Sequence, residues 1–350
     1  MHDGRMLDEI DFQLINALQI APRMSWQALA PVLRTDTSTV SRRWARLRDS
    51  GLAWTTCYVL PQRIQVPTSG QPLRASTAMV ELRCSPGLRE SIVAALAQIP
   101  MVVNIEYTSG PRELAITVSA SSPSEIDAFV ASTIAPLDGV ISTSVQFTRT
   151  MYREGSEFDL GVLSASQRRM VQAHLQTETV VAPATPSPLT DRVIRALQPN
   201  VRRPAAEIAE ELDISVAVAR RVIAQLMHTD WVRMRADFAH DVVGFNASVL
   251  LWLSVPQDQL QSVAINLALM PSARLASSML GPSNLILMLW MKELDELDDI
   301  ELKLLRVFPQ TRVMDRWMIP HVPKRMGTLF DESGHRTGYV NVPLPAPSPF

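Results

Sequence analysis

The chain states one pattern twice. Residues 7–54 carry three short apolar helix stripes, and residues 186–232 repeat them at one constant offset without a gap. Leu14, Ile15 and Leu18 fall on Val193, Ile194 and Leu197; Leu29, Ala30 and Leu33 fall on Ile208, Ala209 and Leu212; Trp44 and Leu47 fall on Ile223 and Leu226. The segments after the two copies are also alike: Gly110-Pro111-Arg112-Glu113-Leu114 recurs as Gly281-Pro282-Ser283-Asn284-Leu285. The period is far longer than a solenoid unit, so the chain reads as a duplicated two-domain module rather than a stacked array.

Length and composition agree. A chain of 350 residues is long for one core, which implies about two to four domains. With 47% apolar and 19% charged residues it is globular. A net charge of −2 gives no overall basic field, so contact with nucleic acid must come from local patches. Cys57 and Cys84 have no metal spacing, and the six histidines are scattered, so neither a zinc site nor a disulfide framework is expected. No phosphate-binding glycine loop occurs, and no cofactor is expected. The N-terminus lacks an apolar leader core and the longest apolar runs are too short to cross a bilayer, so a cytoplasmic protein without membrane contact is expected.

Along the chain, Ile10, Leu14, Ile15 and Leu18 form a helical stripe ended by Pro22. Ser25 can cap a second helix, and Asp36 or Thr37 a third that buries Val40, Trp44 and Leu47 and stops near Gly51. Short helices joined by a tight turn match a helix-turn-helix, and the β-prone 54–60 reads as a wing or a linking strand. Residues 61–75 read as a loop or hinge. Then the period changes to a βαββαβ order: a strand at 77–83, a helix opened by Ser85-Pro86, strands at 102–107 and 114–119, a helix opened by a capping box at Ser122, and a strand at 141–147. The second copy runs the same course from 190 to 319. The expected fold is α+β: two winged helix-turn-helix domains, at 1–60 and 189–238, alternate with two ferredoxin-like domains, at 76–152 and 246–325. A linker at 177–188 joins the halves and a disordered tail is expected over 331–350.

These elements resemble the Lrp/AsnC family of transcriptional regulators, in a tandem form. The match runs through Leu7-Asp8-Glu9-Ile10-Asp11, Leu14-Ile15, Ala21-Pro22-Arg23 and Ser38-Thr39-Val40-Ser41-Arg42-Arg43-Trp44-Ala45-Arg46-Leu47 to Gly51-Leu52. The resemblance implies that the ferredoxin-like (RAM-type) domains bind an effector and assemble, with a Gly-x-Tyr-Asp loop between their second and third strands. Here the tyrosine position holds Arg112 or Ser283 and the aspartate position Glu113 or Asn284.

Candidate DNA contacts are Ser38, Thr39, Ser41, Arg42, Arg43 and Arg46 on the third helix, with Ser25 and Gln27 placed for phosphate. Arginine can bond the guanine edge, and hydroxyls can bond bases or phosphates. Arg220, Arg221 and Gln225 are the weaker second-copy set, on a helix that exposes more apolar surface. A solvated basic face is the bland alternative. Candidate effector residues are Gly110, Arg112, Glu113, Gly281, Ser283 and Asn284, against the plain reading that a tight strand connection needs its Gly-Pro.

The leading expectation is a non-enzymatic, sequence-specific regulator that binds double-stranded DNA, answers to a small metabolite such as an amino acid, and associates at least as a dimer of chains. Two rivals stand beside it. One is a sirohaem-decarboxylase-like enzyme of the same architecture, whose histidines act near the second strand of the plait, where 102–107 and 273–279 hold none. The other is an oligomerisation partner that has lost DNA contact.

Overall fold

The computed structural model describes residues 7–60, 73–177, 181–344 and 346–347. The expected loop or hinge at 61–72 and the stretch 178–180 of the expected linker lie outside the described residues. The chain divides into two units, each drawn from both halves: 1–73 with 159–239 and 347–350, and 74–158 with 240–346.

In the first unit, Asp8 caps helix α1 (Glu9–Ile20) through a reciprocal pair of bonds with Asp11. Ser25 caps α2 (Trp26–Val32), and Asp36 caps α3 (Thr37–Asp49), which buries Val40, Trp44 and Leu47. Arg34, in the α2–α3 turn, has φ of 52°, and the turn closes with Thr35 N donating to Ala30 O at 3.0 Å. The second copy repeats this. Ser187 caps α7 (Pro188–Leu197), α8 (Ala205–Leu212) follows, and Ser215 caps α9 (Val216–Met227). Asp213 takes the place of Arg34 with the same φ of 52°, and Ile214 N donates to Ala209 O at 3.0 Å.

After each helix set comes a strand that joins the other copy. β1 (Ala53–Val59) runs antiparallel to β7 (Val232–Phe238), so the linking alternative holds and the wing does not. Thr56 faces Arg235, and these two are equivalent positions of the repeat. Leu60 N donates to Trp231 O at 2.7 Å, and the mirrored bond runs from Ala239 N to Leu52 O at 2.9 Å. Arg23 donates to Val201 O, while its equivalent, Arg202, donates to Pro22 O at 2.8 Å. Each of these contacts recurs with the copies exchanged, so a local twofold axis passes through Thr56 and Arg235.

Helix α6 (Ala165–Thr177) was not expected from the sequence. Ser164 and Gln167 form its capping box, and Gln167 Nε2 donates to Val32 O at 3.0 Å, fixing it to the first helix set. The buried Asn16 holds the approach to it, accepting from Val162 N and Leu163 N and donating to Asp159 Oδ1 at 2.6 Å. The described end of the expected linker is also tethered: Ala184 N donates to Gln225 O, and Trp231 Nε1 donates to Ala184 O.

In the second unit, a two-residue strand β2 (Leu73–Arg74) leads into β3 (Ser76–Cys84), α4 (Arg89–Ala97), β4 (Val102–Tyr107), β5 (Leu114–Ala120), α5 (Pro123–Phe129) and β6 (Val140–Arg153). Its second half holds β8 (Ala247–Ser254), α10 (Leu260–Ala268), β9 (Ala273–Met279), β10 (Leu285–Met291), α11 (Glu296–Val307) and β11 (Arg312–Met318). Both expected βαββαβ orders are present. One boundary moves: α4 begins at Arg89, not at Ser85-Pro86. Gly87, at φ +82°, turns the chain between them, and Ser85 O accepts from Leu88 N instead of capping.

The two plaits share one sheet of order β11-β8-β10-β9-β6-β3-β5-β4-β12-β13-β14. The far end of β6 pairs with β9, and the chain beyond β11 does the reciprocal service: β12 (Lys324–Arg325) pairs with β4. Each plait has its own helix-covered core. Their other faces meet in a third cluster, where Met79 and Ala115 pack with Leu250, Trp252, Ile286, Met288 and Trp317. The expectation of a dimer of chains rested on sheet faces left bare by a lone pair. The outer faces are covered by each plait's own helices and the inner ones by each other, and this packing neither requires nor opposes a dimer of chains.

The tail also departs from expectation. Strands β13 (Thr328–Phe330) and β14 (Arg336–Tyr339) pair as a hairpin, so 331–344 is ordered. Its turns pass through Gly327 and Gly334 at φ +81° and +78°, and the sheet edge supplies partners to its backbone. A last short strand is β15 (Ala346–Pro347).

Candidate nucleic-acid interface and effector cleft

The third helix of the first set presents Ser38 and Arg42 to solvent, with Thr39 and Ser41 half-buried beside them. Ser25 and Gln27 are exposed at the head of α2. Asp36 organises this end. Its carboxylate accepts from Thr39 N at 2.8 Å, Ser38 Oγ at 2.5 Å and Thr39 Oγ1 at 2.7 Å. These bonds, that from Ser38 foremost, hold the Asp36 carboxyl far below the usual range.

Arg43 and Arg46 do not stand open as expected. Arg43 Nη1 lies 2.7 Å from Asp8 and 2.9 Å from Asp11, and Arg46 Nη2 lies 2.5 Å from Asp11. Asp11 is fully buried, so its charge needs these partners. Both arginines therefore brace α3 against α1, Arg46 from an exposed position, while Arg42 is exposed and, among the described residues, is held by no acid, donating to Thr39 Oγ1 at 3.3 Å. The second copy lacks the ionic brace: Thr190 and Val222, both buried, stand where Asp11 and Arg43 stand, and Thr190 Oγ1 donates to Thr185 O at 2.8 Å. Arg220 and Arg221 are exposed and have no partner among the described residues. Gln225, at the position of Arg46, is half-buried and its carbonyl holds Ala184. The second set is thus less encumbered than the sequence implied.

The Gly110 and Gly281 loops are used up in joining the two plaits. Ser109 N donates to Met318 O at 3.0 Å, and at the equivalent place Leu280 N donates to Phe147 O at 2.9 Å. Glu113 accepts from Cys84 N at 2.6 Å; its equivalent, Asn284, accepts from Val255 N and donates to Val255 O. Arg112 pairs with Glu81 at 2.7 Å and Asp315 at 3.1 Å and lies 4.1 Å over the Trp317 ring. A Cβ on Gly281 would come within 2.6 Å of Gln146 Oε1, and Ser283 is half-buried beside it. Four of the six expected effector residues therefore have structural duties; Gly110 supplies the turn's φ of +95°, and Ser283 is half-buried on the second loop.

An open, polar cleft of about 490 Å³ lies elsewhere in this unit, lined by Arg89, Glu90, Tyr107, Asp241, His321 and Glu332 among others. Tyr107 ends β4, and Arg89 lies 4.0 Å over its ring. Its hydroxyl donates to Glu90, and this bond, with Arg89, holds the Glu90 carboxyl below its usual range. His321 meets the ring edge-on at 5.2 Å. Sequence reasoning passed over all of these. His321 was set aside as scattered, yet the chain beyond β11 carries it to the second strand of the first plait, with Tyr107 N donating to His321 O at 2.9 Å.

Comparison with known proteins fits this geometry. Residues 7–48 match the AsnC-type helix-turn-helix domain, and residues 77–156 match the Lrp/AsnC ligand binding domain. An uncharacterised HTH-type transcriptional regulator of Pyrococcus horikoshii is 24% identical over 152 residues, 43% of this chain and 90% of that relative. The HTH-type transcriptional regulator FL11 of Pyrococcus furiosus is 22% identical over 153 residues, 43% of this chain and 95% of its own length. Both relatives are about the size of one module. A crystal structure of the siroheme decarboxylase NirDL, in complex with an iron-uroporphyrin III analogue, shares the fold across both modules. It has a TM-score of 0.55 and 14% identity over 91% of this chain and 93% of that one. Among the described residues, no helix is long and apolar enough to cross a membrane. The first half of the chain thus carries an AsnC-type helix-turn-helix domain and an Lrp/AsnC ligand binding domain, and its second half repeats their architecture in tandem.

Proposed function

We propose that this protein is a sequence-specific regulator of transcription that binds double-stranded DNA through both helix-turn-helix sets, and that it is not an enzyme. One observation carries the reading: Arg42 and Arg221, equivalent positions, both stand exposed on the outer face of a third helix, and a local twofold axis relates the helices that bear them. A recognition helix reads base edges from its N-terminal half, and a dyad-related pair addresses two half-sites. Genome-wide mapping of bound DNA tests it. Discrete occupied sites are expected; an input-like profile would refute it.

A small-molecule effector, in this reading, binds the Tyr107–His321 cleft and not the glycine loops. Glu90, Asp241 and Glu332 outnumber Arg89 there, which suits a ligand bearing an amine, such as an amino acid whose carboxylate meets Arg89. Asp241 lies just beyond β7 in the chain, so a ligand that grips it acts on the segment that leaves that strand. Only a difference in affinity between DNA-bound and free states lets a ligand alter DNA binding.

His321 beside β4 gives the tetrapyrrole-enzyme reading a foothold. Against it, a polycarboxylate tetrapyrrole would meet three acidic side chains and one arginine in this cleft. An absorbance scan of protein incubated with iron uroporphyrin discriminates. No shifted Soret band is expected, and a saturable one would favour the enzyme.

A further inference from the structure

We infer that a single chain reads a non-palindromic operator, made of two unlike half-sites placed about a local dyad. This rests on the DNA-binding reading above and goes further by specifying the DNA. The twofold through Thr56 and Arg235 places α3 and α9 as a homodimer would place its two recognition helices, but their exposed surfaces differ. Arg42 and Arg221 coincide, which calls for a guanine at the same place in each half. Towards the helix N-termini the chemistry parts. On α3 the hydroxyls of Ser38 and Thr39 give their hydrogens to Asp36, so their oxygens act as acceptors, that of Thr39 already taking a bond from Arg42. Acceptors suit the exocyclic amino groups of adenine or cytosine. On α9 the same positions hold Ala217 and Val218, preceded by an exposed Val216, and the cap is the neutral Ser215. Methyl-bearing side chains suit thymine methyl groups. Arg220 stands where α3 has Ser41, placing an exposed cation at a position that holds a hydroxyl in the first half.

The test is selection of double-stranded DNA from a randomised pool by the full-length chain. The expected product is two different blocks in fixed order and orientation, centred about 10 base pairs or a multiple apart. A palindrome, or one block alone, would overturn the asymmetry while leaving DNA binding intact. No enrichment at all would overturn DNA binding and the asymmetry with it. A variant carrying Val216→Thr, Ala217→Ser and Arg220→Ser, all at exposed positions, makes α9 resemble α3. It is expected to improve binding to a palindrome of the α3 block by about tenfold or more, as a factor for one base-pair match. An unchanged preference in a folded variant would contradict the inference.

Discussion

Arg43 on the third helix donates to the fully buried carboxylate of Asp11 on the first at 2.9 Å. The pair sets the angle of the recognition helix, a duty usually left to apolar contacts. Arg43→Ala is expected to destabilise the protein by roughly 2–4 kcal/mol, somewhat under the cost of breaking a wholly buried pair, because Arg46 still reaches Asp11. Thermal or urea unfolding checks it. A variant as stable as wild type would show that the brace is ornamental.

Arg42→Ala and Arg221→Ala are expected to leave stability within about 0.5 kcal/mol, as exposed substitutions do. Each should cost about 1–3 kcal/mol in specific DNA affinity, measured by fluorescence anisotropy at fixed salt. The two effects should be of similar size. Loss in the first alone would mean that α9 does not touch DNA.

Arg89→Ala and His321→Ala are expected to abolish any thermal shift produced by amino acids. Arg112→Ala should lower the melting temperature but leave a ligand's shift unchanged, since Arg112 is committed to Glu81, Asp315 and Trp317. A shift lost only in the Arg112 variant would return the effector to the glycine loops.

Burial pushes the Glu106 carboxyl up to about 7, against the pull of Arg325. From the unfolded value near 4.5 up to about 7, the unfolded chain loses this proton while the folded chain keeps it. Glu106 thus contributes most at low pH, and its contribution falls across that window. Glu106→Gln is expected to flatten the decline and to be more stable than wild type at pH 8 by roughly 1–3 kcal/mol. Parallel stability profiles from pH 5 to pH 8 would contradict this.

Sequence periodicity exposed what local patterning determines. The stripes of α1, α3, α7 and α9 and the alternation of β3 each announce one buried face, and the unbroken apolar runs of β8 and β10 announce strands buried on both faces. What it hid depends on partners distant in the chain. Nothing local in 53–59 shows that β1 pairs with β7, or in 324–339 that a polar, glycine-bearing segment extends a sheet edge. Arg43 looked like a DNA contact because a charged residue on a helix face gives no hint of a buried aspartate on another helix. The capping box Ser164-Ala165-Ser166-Gln167 is the local signal in the sequence for α6. His321 could not be placed beside Tyr107 without the strand pairing that brings it there.

The most direct test of the whole account is equilibrium binding of the full-length chain to double-stranded DNA from its own upstream region, for wild type and for Arg42→Ala/Arg221→Ala. Saturable binding that unrelated DNA competes poorly, weakened by roughly 100-fold or more in the double variant, is the expected result. Equal affinity for unrelated DNA, or a folded double variant that binds as well as wild type, would contradict it.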